Sequence, residues 1–246
     1  MREYGLIGFP LSHSFSQKYF TQKFIKEGIT DAVFHAFAIP SIEDLPQMLQ
    51  DHPALKGFCI TIPYKRAVIQ YLAEASNAVL QMDACNCVKI NGGKLYGFNT
   101  DVIGFEKSFA PQLKLHHKNA LILGTGGASS AVEFVLQKLN ISYQFVSRTK
   151  DLNKNTLGYN DVNESLLSTH NIIINCTPLG TYPNTEAAPG IPYHLLSPNH
   201  YLFDLVYNPA KTKFLSLGEQ YGAIIKNGYE MLVLQAEENW KIWNEE

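Results

Sequence analysis

Short apolar runs alternate with amphipathic stretches along most of the chain. In the first half this pattern predicts strands over 4–9, 33–39 and 57–62, helices over 16–27, 41–50 and 64–75, and a hairpin over 87–96. In the second half it predicts strands over 119–123, 143–147, 172–175 and 201–206, and helices over 101–109, 128–140 and 230–243. Strands separated by helices are typical of parallel sheets covered by helices, so the predicted fold class is α/β.

The pattern also suggests two domains and a closing helix. A polar stretch over 114–118 precedes a second series of strands and helices, and we place the first boundary just after Asp101. The predicted divisions are 1–101, 102–228 and 229–246. The last of these is an amphipathic helix.

Composition excludes several classes of protein. The chain has 246 residues, a formal net charge of -2 and 12% aromatic residues, which argues against nucleic-acid binding and against disorder. We see neither an apolar run of about 18 residues nor a signal-peptide pattern, so we expect no membrane span and a cytoplasmic protein. The four cysteines form no Cys-x-x-Cys pair and the histidines no His-Glu-x-x-His pattern. We therefore expect reduced, buried thiols and no metal.

A glycine-rich turn follows the strand predicted over 119–123. Gly124, Gly126 and Gly127 lead directly into the helix that begins at Ala128. Backbone N–H groups at such a helix N-terminus bind the diphosphate of a dinucleotide. The third glycine of the usual Gly-x-Gly-x-x-Gly pattern is Ser129 in this chain, and a tight turn without a ligand is the alternative.

The end of the next strand bears on the choice of dinucleotide. NAD sites usually carry an acidic residue there, whereas this chain has Ser147, Arg148, Thr149 and Lys150. A guanidinium binds a 2′-phosphate through two hydrogen bonds, so we expect NADP rather than NAD. The alternative is a pair of solvated loop cations.

Two polar clusters follow strands of the first half. Ser14 and Ser16 could bind substrate hydroxyls or cap the next helix. Thr61 and Lys65 share a face of an extended segment. The helix predicted from Tyr64 would place Lys65 at its positive end, where a cation is disfavoured by about 0.3–1 kcal/mol, so Lys65 is a candidate proton donor. A surface lysine without a catalytic role is the alternative.

Two further polar residues lie near the first boundary. Asn86 offers an amide that suits a substrate hydroxyl, and Asp101 starts a predicted helix. Asp101 could be an ordinary N-cap. An acid and a lysine together also provide what carbonyl reduction requires, namely a proton donor and a group that orients it.

These motifs, in this order, resemble those of the shikimate dehydrogenase family. The resemblance rests on nine strings: Gly8–Ser16, Ile60–Lys65, Ala84–Cys87, Gly97–Gly104, Gly124–Ala128, Ser147–Thr149, Asn175–Gly180, Asp204–Thr212 and Asn227–Ala236. The chain departs from the family pattern at Gln17, Cys59, Cys87, Ser147 and Thr181, where Pro, Asn, Thr, Asn and Met are usual.

The resemblance implies an N-terminal α/β substrate domain, a Rossmann-like NADP domain and a C-terminal helix that returns to the substrate domain. It implies Lys65 and Asp101 as the catalytic pair. Substrate binding would fall to Ser14, Ser16, Thr61, Asn86, Asp101, Tyr207 and Gln235. NADP binding would fall to Gly124, Gly126, Gly127, Ala128, Ser147, Arg148, Thr149, Thr177 and Gly228.

The implied activity is the reversible, NADPH-dependent reduction of 3-dehydroshikimate to shikimate in aromatic amino acid (chorismate) biosynthesis, by a monomer or homodimer acting on a small molecule. Two rival functions share the same fold. One is a quinate/shikimate dehydrogenase that uses NAD, against which Arg148 argues. The other is a non-catalytic nucleotide sensor or scaffold, against which the presence of both Lys65 and Asp101 argues.

Overall fold

A computed structural model describes residues 1–11 and 15–245. The chain forms two compact units. The first contains Met1–Ile103 and Gln235–Glu246, and the second contains Gly104–Leu234.

The first unit contains a six-stranded sheet and short helices. Its strands are β1 (Arg2–Gly8), β2 (Ala32–Ala38), β3 (Leu55–Ile60), β4 (Glu74–Ala75), β5 (Cys87–Asn91) and β6 (Lys94–Phe98). Its α-helices are α1 (Phe15–Glu27), α2 (Leu45–Asp51), α3 (Asn77–Met82) and the start of α4 (Thr100–Phe109). Single 3-10 turns cover Ile42–Asp44 and Ala67–Tyr71.

The first sheet is mixed rather than wholly parallel. Its strand order is β2-β1-β3-β5-β6-β4. Strands β1, β2 and β3 are parallel, whereas β5 is antiparallel to both β3 and β6. The predicted hairpin explains the change, because Gly92 and Gly93 adopt positive φ angles of 56° and 74° and reverse the chain. Because β1 and β3 are parallel, their carboxyl ends lie at the same end of the sheet. The loops that begin after Gly8 and after Ile60 therefore start at that end.

The helix predicted over 64–75 is wrong. The chain makes only the 3-10 turn Ala67–Tyr71, becomes extended at Leu72 and then pairs β4 with β6. Val68 is fully buried and Leu72 packs on the core, so apolar residues at helical spacing fill the core without a regular helix. Lys65 therefore does not lie at the N-terminus of an α-helix, and the predicted unfavourable helix dipole is not present at this position.

The C-terminal residues complete the core of the first unit. The last helix, whose residues from Gln235 onward belong to this unit, places the Trp243 ring against Gly57. A Cβ atom on Gly57 would lie 2.2 Å from Trp243 Cδ1, so only glycine fits below the indole. Trp243 Nε1 donates a 3.0 Å hydrogen bond to the Val88 carbonyl, and its ring stacks on Tyr4 at 5.2 Å between centroids.

The second unit holds the other sheet. Its strands are β7 (Asn119–Leu123), β8 (Ser142–Ser147), β9 (Thr156–Gly158), β10 (Ile172–Asn175), β11 (Tyr201–Asp204) and β12 (Ile224–Asn227). Its helices are the rest of α4, α5 (Gly127–Lys138), α6 (Glu164–Leu167), α7 (Lys213–Gln220) and the start of α8 (Tyr229–Asn244). Its 3-10 turns are Ala110–Gln112, Leu152–Lys154, Tyr159–Asp161 and Tyr193–Leu195.

The second sheet has Rossmann-like topology. Its order is β12-β11-β10-β7-β8-β9, and every pair is parallel. The chain runs outward from β7 in one direction and then from β10 in the other. In such sheets ligands bind at the carboxyl ends of the two strands where the order reverses, which here are β7 and β10. Within the described residues, no helix is long and apolar enough to cross a membrane.

Candidate active site

Lys65 and Asp101 form an ion pair in the first unit. Lys65 lies in the turn after β3, and Asp101 lies in the first turn of α4. Lys65 Nζ is 2.7 Å from Asp101 Oδ2, and the two side chains are 36% and 24% exposed. A ligand can therefore reach the ammonium while the carboxylate holds it in place. Asp101 is not the N-cap of α4, because Thr100 precedes it within the helix.

Thr61 lies beside the last residue of β1. Its amide donates a 3.0 Å hydrogen bond to the Ile7 carbonyl and so extends the pairing of β1 with β3. A Cβ atom on Gly8 would lie 2.5 Å from Thr61 Cγ2. Gly8 thus gives Thr61 room at the carboxyl edge of the sheet. Ser14, the candidate that follows Gly8, lies outside the described residues.

Asn86 is held by the first residue of α4. Its side-chain oxygen accepts a 2.7 Å hydrogen bond from the Thr100 amide, and Asn86 is 4% exposed. Because the oxygen is engaged, the NH₂ group is the part of Asn86 that remains to bind a ligand.

Asn239 connects three other residues of the site. It is fully buried, and its oxygen accepts a 2.6 Å hydrogen bond from the Thr100 hydroxyl. Its NH₂ group contacts Cys59 Sγ at 3.1 Å and Gln235 Oε1 at 3.3 Å. Sequence analysis missed Asn239, because one asparagine in an amphipathic helix has no local signature. The neighbouring Cys59, a departure from the family pattern, was the available signal.

Cys59 acts as a neutral group. Burial raises the pKa of its thiol to about 12, despite hydrogen bonds from Asn239 and Ser16 that oppose the shift. Ser16, the second residue of α1, therefore contacts the same network. Cys85 and Cys87 are also buried, as predicted, whereas Cys176 is only half-buried.

The glycine turn of the second unit combines a constrained and an open part. Gly124 has a φ of +100°, and a Cβ atom there would lie 3.0 Å from Thr177 Cγ2. A Cβ atom on Gly126 or Gly127 would meet nothing within 4 Å. Ser129, at the position of the usual third glycine, is buried, and its hydroxyl donates a 2.6 Å hydrogen bond to the Gly126 carbonyl. The buried Ser129 side chain therefore stabilises the conformation of the glycine turn.

A pocket of about 460 Å³ opens above this turn. Its lining includes Gly126, Gly127 and Ala128 after β7, Thr177 after β10 and Tyr207 after β11. The Thr177 hydroxyl is engaged by Asn175 Oδ1 at 2.6 Å, which fixes the loop after β10. The pocket lies at the carboxyl ends of β7 and β10, where Rossmann-like sheets bind ligands.

The end of β8 carries one available cation. Lys150 Nζ is 2.8 Å from Asp161 Oδ2, so Lys150 is paired. The Arg148 side chain is exposed and makes no ion pair with any residue among 1–11 and 15–245. Ser147 is half-buried and Thr149 is exposed. Of the two cations that sequence analysis considered, only Arg148 can offer an unshared charge to a phosphate.

Asp204 organises the loop that carries Tyr207. It is fully buried and accepts hydrogen bonds from Asn175 Nδ2 at 2.9 Å, the Val206 amide at 3.0 Å and the Thr212 hydroxyl at 2.5 Å. Burial nevertheless raises the pKa of the Asp204 carboxyl to about 6. Sequence analysis quoted Asp204 in a motif without giving it a role.

Gly228 allows a close approach of two backbone segments. A Cβ atom there would lie 2.3 Å from the Leu205 carbonyl oxygen. The glycine that follows β12 is thus required by packing against the Asp204 loop, whether or not a cofactor lies nearby.

The residues of the second unit fit a phosphorylated dinucleotide. The first N–H groups of the 12-residue helix α5 have no partner within their own helix. The space above Gly126 and Gly127 is open, and an unpaired guanidinium follows β8. These are the two features that a diphosphate and a 2′-phosphate require.

Comparison with known proteins places these sites in context. The family model described as the shikimate dehydrogenase substrate binding domain matches residues 6–88. A Methanococcus maripaludis protein named shikimate dehydrogenase (NADP(+)) is 38% identical over 97% of this chain and 90% of its own length. A Staphylococcus aureus protein of the same name is 37% identical over 98% of this chain and 92% of its own.

Solved structures show the same architecture. Shikimate 5-dehydrogenase from Thermus thermophilus, solved in complex with NADP(H) and shikimate, is 27% identical with a TM-score of 0.85. The match covers 99% of this chain and 94% of that one. The two-unit α/β fold with a Rossmann-like second sheet is thereby confirmed. On the identity and coverage of its relatives, the chain belongs to the shikimate dehydrogenase family.

Proposed function

We propose that the protein catalyses the reversible, NADPH-dependent reduction of 3-dehydroshikimate to shikimate, a step of aromatic amino acid (chorismate) biosynthesis. The observation that carries the proposal is the Lys65–Asp101 pair, in a chain whose relatives are named NADP-dependent shikimate dehydrogenases. Bound NADPH supplies a hydride to the ring carbonyl carbon.

Lys65 supplies the proton. As the carbonyl carbon accepts the hydride, its oxygen gains negative charge and takes a proton from the Lys65 ammonium, which leaves a neutral amine. The amine regains its proton from water, and the same transfer runs backward when shikimate is oxidised. Asp101 orients Lys65 through the 2.7 Å contact between Asp101 Oδ2 and Lys65 Nζ.

We assign substrate binding to the first unit. Ser14, Ser16, Thr61, Asn86 and Gln235 supply hydroxyl and amide groups that match the hydroxyls and carboxylate of shikimate. The family match over 6–88 supports this assignment. Tyr207 of the second unit, which is 40% exposed, completes the proposed set.

We assign NADP binding to the second unit. Gly124, Gly126, Gly127 and Ala128 would hold the diphosphate at the N-terminus of α5. Arg148 and Thr149 would bind the 2′-phosphate, and Ser147 would lie near the ribose. Thr177 and Gly228 would border the rest of the cofactor.

The setting in which the protein acts is also a proposal. We infer a cytoplasmic enzyme, monomeric or homodimeric, that acts on a small molecule and not on nucleic acid. Four free cysteines and a net charge of -2 support this inference. Light scattering during size-exclusion chromatography measures the oligomeric state directly.

One assay tests the function. Oxidation of NADPH is followed with 3-dehydroshikimate as substrate, and the reverse reaction is run with shikimate or quinate and with NADP or NAD. We expect turnover with shikimate and NADP. Preference for quinate and NAD would support the rival dehydrogenase, and absence of turnover with any pair would support a sensor or scaffold.

A further inference from the structure

Three potential metal ligands meet in the first unit at a place that the proposed reaction does not use. Glu3 lies near the start of β1, His35 lies within β2, and His52 follows α2. One ligand atom from each lies within 4.8 Å of the other two. Lys65 follows the carboxyl end of β3, whereas Glu3 lies near the amino end of β1. Because β1 and β3 are parallel, the metal-ligand cluster and the Lys65–Asp101 ion pair lie at opposite ends of these strands.

The measured distances suit a small cation. Glu3 Oε2 is 2.9 Å from His52 Nδ1 and 3.7 Å from His35 Nε2. In a tetrahedral zinc site with metal–ligand bonds of about 2.0 Å, neighbouring ligand atoms are separated by roughly 3.3 Å. The two observed distances lie on either side of that value, so small side-chain rotations would bring the three atoms into position.

His35 carries an unpaired nitrogen. His35 Nε2 is buried and makes no hydrogen bond with the described part of the chain. It is directed toward Glu3, but the 3.7 Å separation is too long for a hydrogen bond. A buried polar atom without a partner costs free energy, and a coordinated metal would supply the partner.

The ring of Phe37 packs against both histidines of the cluster. The ring of Phe37 lies 4.8 Å from that of His52 and 5.5 Å from that of His35. Gly5 makes this possible, because a Cβ atom there would lie 2.4 Å from Phe37 Cε2. Apolar surroundings of this kind strengthen metal coordination, and the Glu3, His35 and His52 side chains as a whole remain 24–34% exposed.

We propose that Glu3, His35 and His52 bind one Zn²⁺ ion. Two imidazoles and one carboxylate are a common zinc donor set, and water would complete the tetrahedron. The ion would connect β1, β2 and the end of α2, and so would stabilise the first unit. The sequence has no short motif for this site, because its ligands are spread over residues 3 to 52. Glu3 and His35 meet through the parallel pairing of β1 with β2, and His52 contacts Glu3 from the end of α2.

Zinc titration of the full-length protein tests the proposal. Zn²⁺ is added in competition with a chromophoric chelator, for wild type, His52→Ala and His35→Gln. We expect one ion per chain for wild type and at least about 100-fold weaker binding for either variant. His194→Ala, which removes an exposed imidazole of the second unit, is the matched control and should bind like wild type. Equal binding by all four proteins, or none by wild type, would overturn the proposal.

Thermal unfolding and diffraction provide independent readouts. Zn²⁺ should raise the melting temperature of wild type and of His194→Ala, but not that of His52→Ala, and Mg²⁺ should have no effect because it prefers oxygen ligands. Circular dichroism before metal addition shows whether each variant is folded. In zinc-soaked crystals, an anomalous peak is expected between Glu3, His35 and His52. A peak only at other residues would overturn the proposal and leave a His52–Glu3 hydrogen bond beside an unpaired His35 nitrogen.

Discussion

The hydroxyl of Thr100 donates a 2.6 Å hydrogen bond to the side-chain oxygen of Asn239, across 139 residues of the chain. Thr100 also binds Asn86 through its amide, and Asn239 also contacts Cys59 and Gln235. The fully buried Asn239 amide thus contacts Gln235 directly and is connected to Asn86 through Thr100, and we assign both Gln235 and Asn86 to substrate binding.

Asn239→Leu should weaken both folding and substrate binding. Leucine removes the 2.6 Å acceptor of the buried Thr100 hydroxyl, which keeps only a 3.2 Å hydrogen bond to Asn86 Oδ1, and it removes the donor to Gln235 Oε1. We therefore expect a loss of about 1–3 kcal/mol in the free energy of unfolding in urea. The KM for 3-dehydroshikimate should rise more than kcat falls, because Lys65 is untouched. Asn153→Ala, at an exposed asparagine, is the control. An unchanged KM in a destabilised Asn239 variant would restrict the network to a structural role.

Lys65→Met should abolish proton donation while keeping most of the side-chain volume. We expect kcat to fall by about 100-fold or more, with a smaller change in KM. Lys56→Met, at an exposed lysine of β3, should leave both constants unchanged. Normal turnover combined with a raised KM would show that Lys65 binds substrate without donating the proton.

Arg148→Ala should reduce the preference for NADP. A charged hydrogen bond is worth about 1.5–3 kcal/mol, so the KM for NADPH should rise roughly 10- to 100-fold while that for NADH stays nearly constant. Lys154→Ala removes a neighbouring cation that is 81% exposed and serves as the control. Equal effects on both cofactors would argue that Arg148 does not contact the 2′-phosphate.

Gly126→Val should separate cofactor binding from folding. A Cβ atom at this position meets nothing within 4 Å, and the φ of Gly126 is -83°, which valine adopts readily. We expect unchanged thermal stability and a strongly raised KM for NADPH. Gly228→Ala should do the opposite and destabilise the fold, since its Cβ would lie 2.3 Å from the Leu205 oxygen. If the Gly126→Val enzyme had a normal KM for NADPH, the diphosphate would not bind at this turn.

Asp204 should make stability depend on pH. The pKa of its carboxyl is raised from 3.8 to about 6 in the folded chain, so the folded state binds this proton more tightly than the unfolded state does. This contribution is fully present below about pH 4 and is lost as the pH rises to about 6, which lowers the free energy of unfolding by up to about 3 kcal/mol.

Comparison with Asp204→Asn isolates that contribution. Asparagine keeps the shape and can still pair with Asn175 and Thr212, but it does not titrate. Urea unfolding of both proteins between about pH 4 and pH 7 should give a difference that shifts in favour of the variant as the pH rises. A difference independent of pH would mean that the three hydrogen bonds keep the carboxylate ionised throughout.

Local sequence patterns predicted the strand bounds correctly where a strand is an uninterrupted apolar run. The strands 119–123 and 172–175 were predicted with the bounds that β7 and β10 have, because central parallel strands are uninterrupted apolar runs. The edge strands β9 and β12 and the helix α7 were missed. The two strands are short, and their identity depends on the neighbouring strand. Helix α7, in contrast, is amphipathic and buries Phe214, Leu215 and Gly218, so its periodicity was a signal that could have been used.

The residues of the site also differed in how far the sequence could predict them. The glycine turn and the order of polar motifs were readable, because each lies within a few consecutive residues. Asn239 and the structural role of Asp204 were not, since both act on partners that only the folded chain supplies. The zinc ligands that we propose follow the same rule.

The Trp243 side chain that covers Gly57 belongs to the last few residues of the chain, whereas the sheet beneath it is built from the first hundred. During synthesis the strands of that sheet leave the ribosome before the tryptophan that covers them. The second unit is a single stretch, Gly104–Leu234, and can fold in the meantime. The sheet of the first unit is therefore completed only after the whole of the second unit has been synthesised.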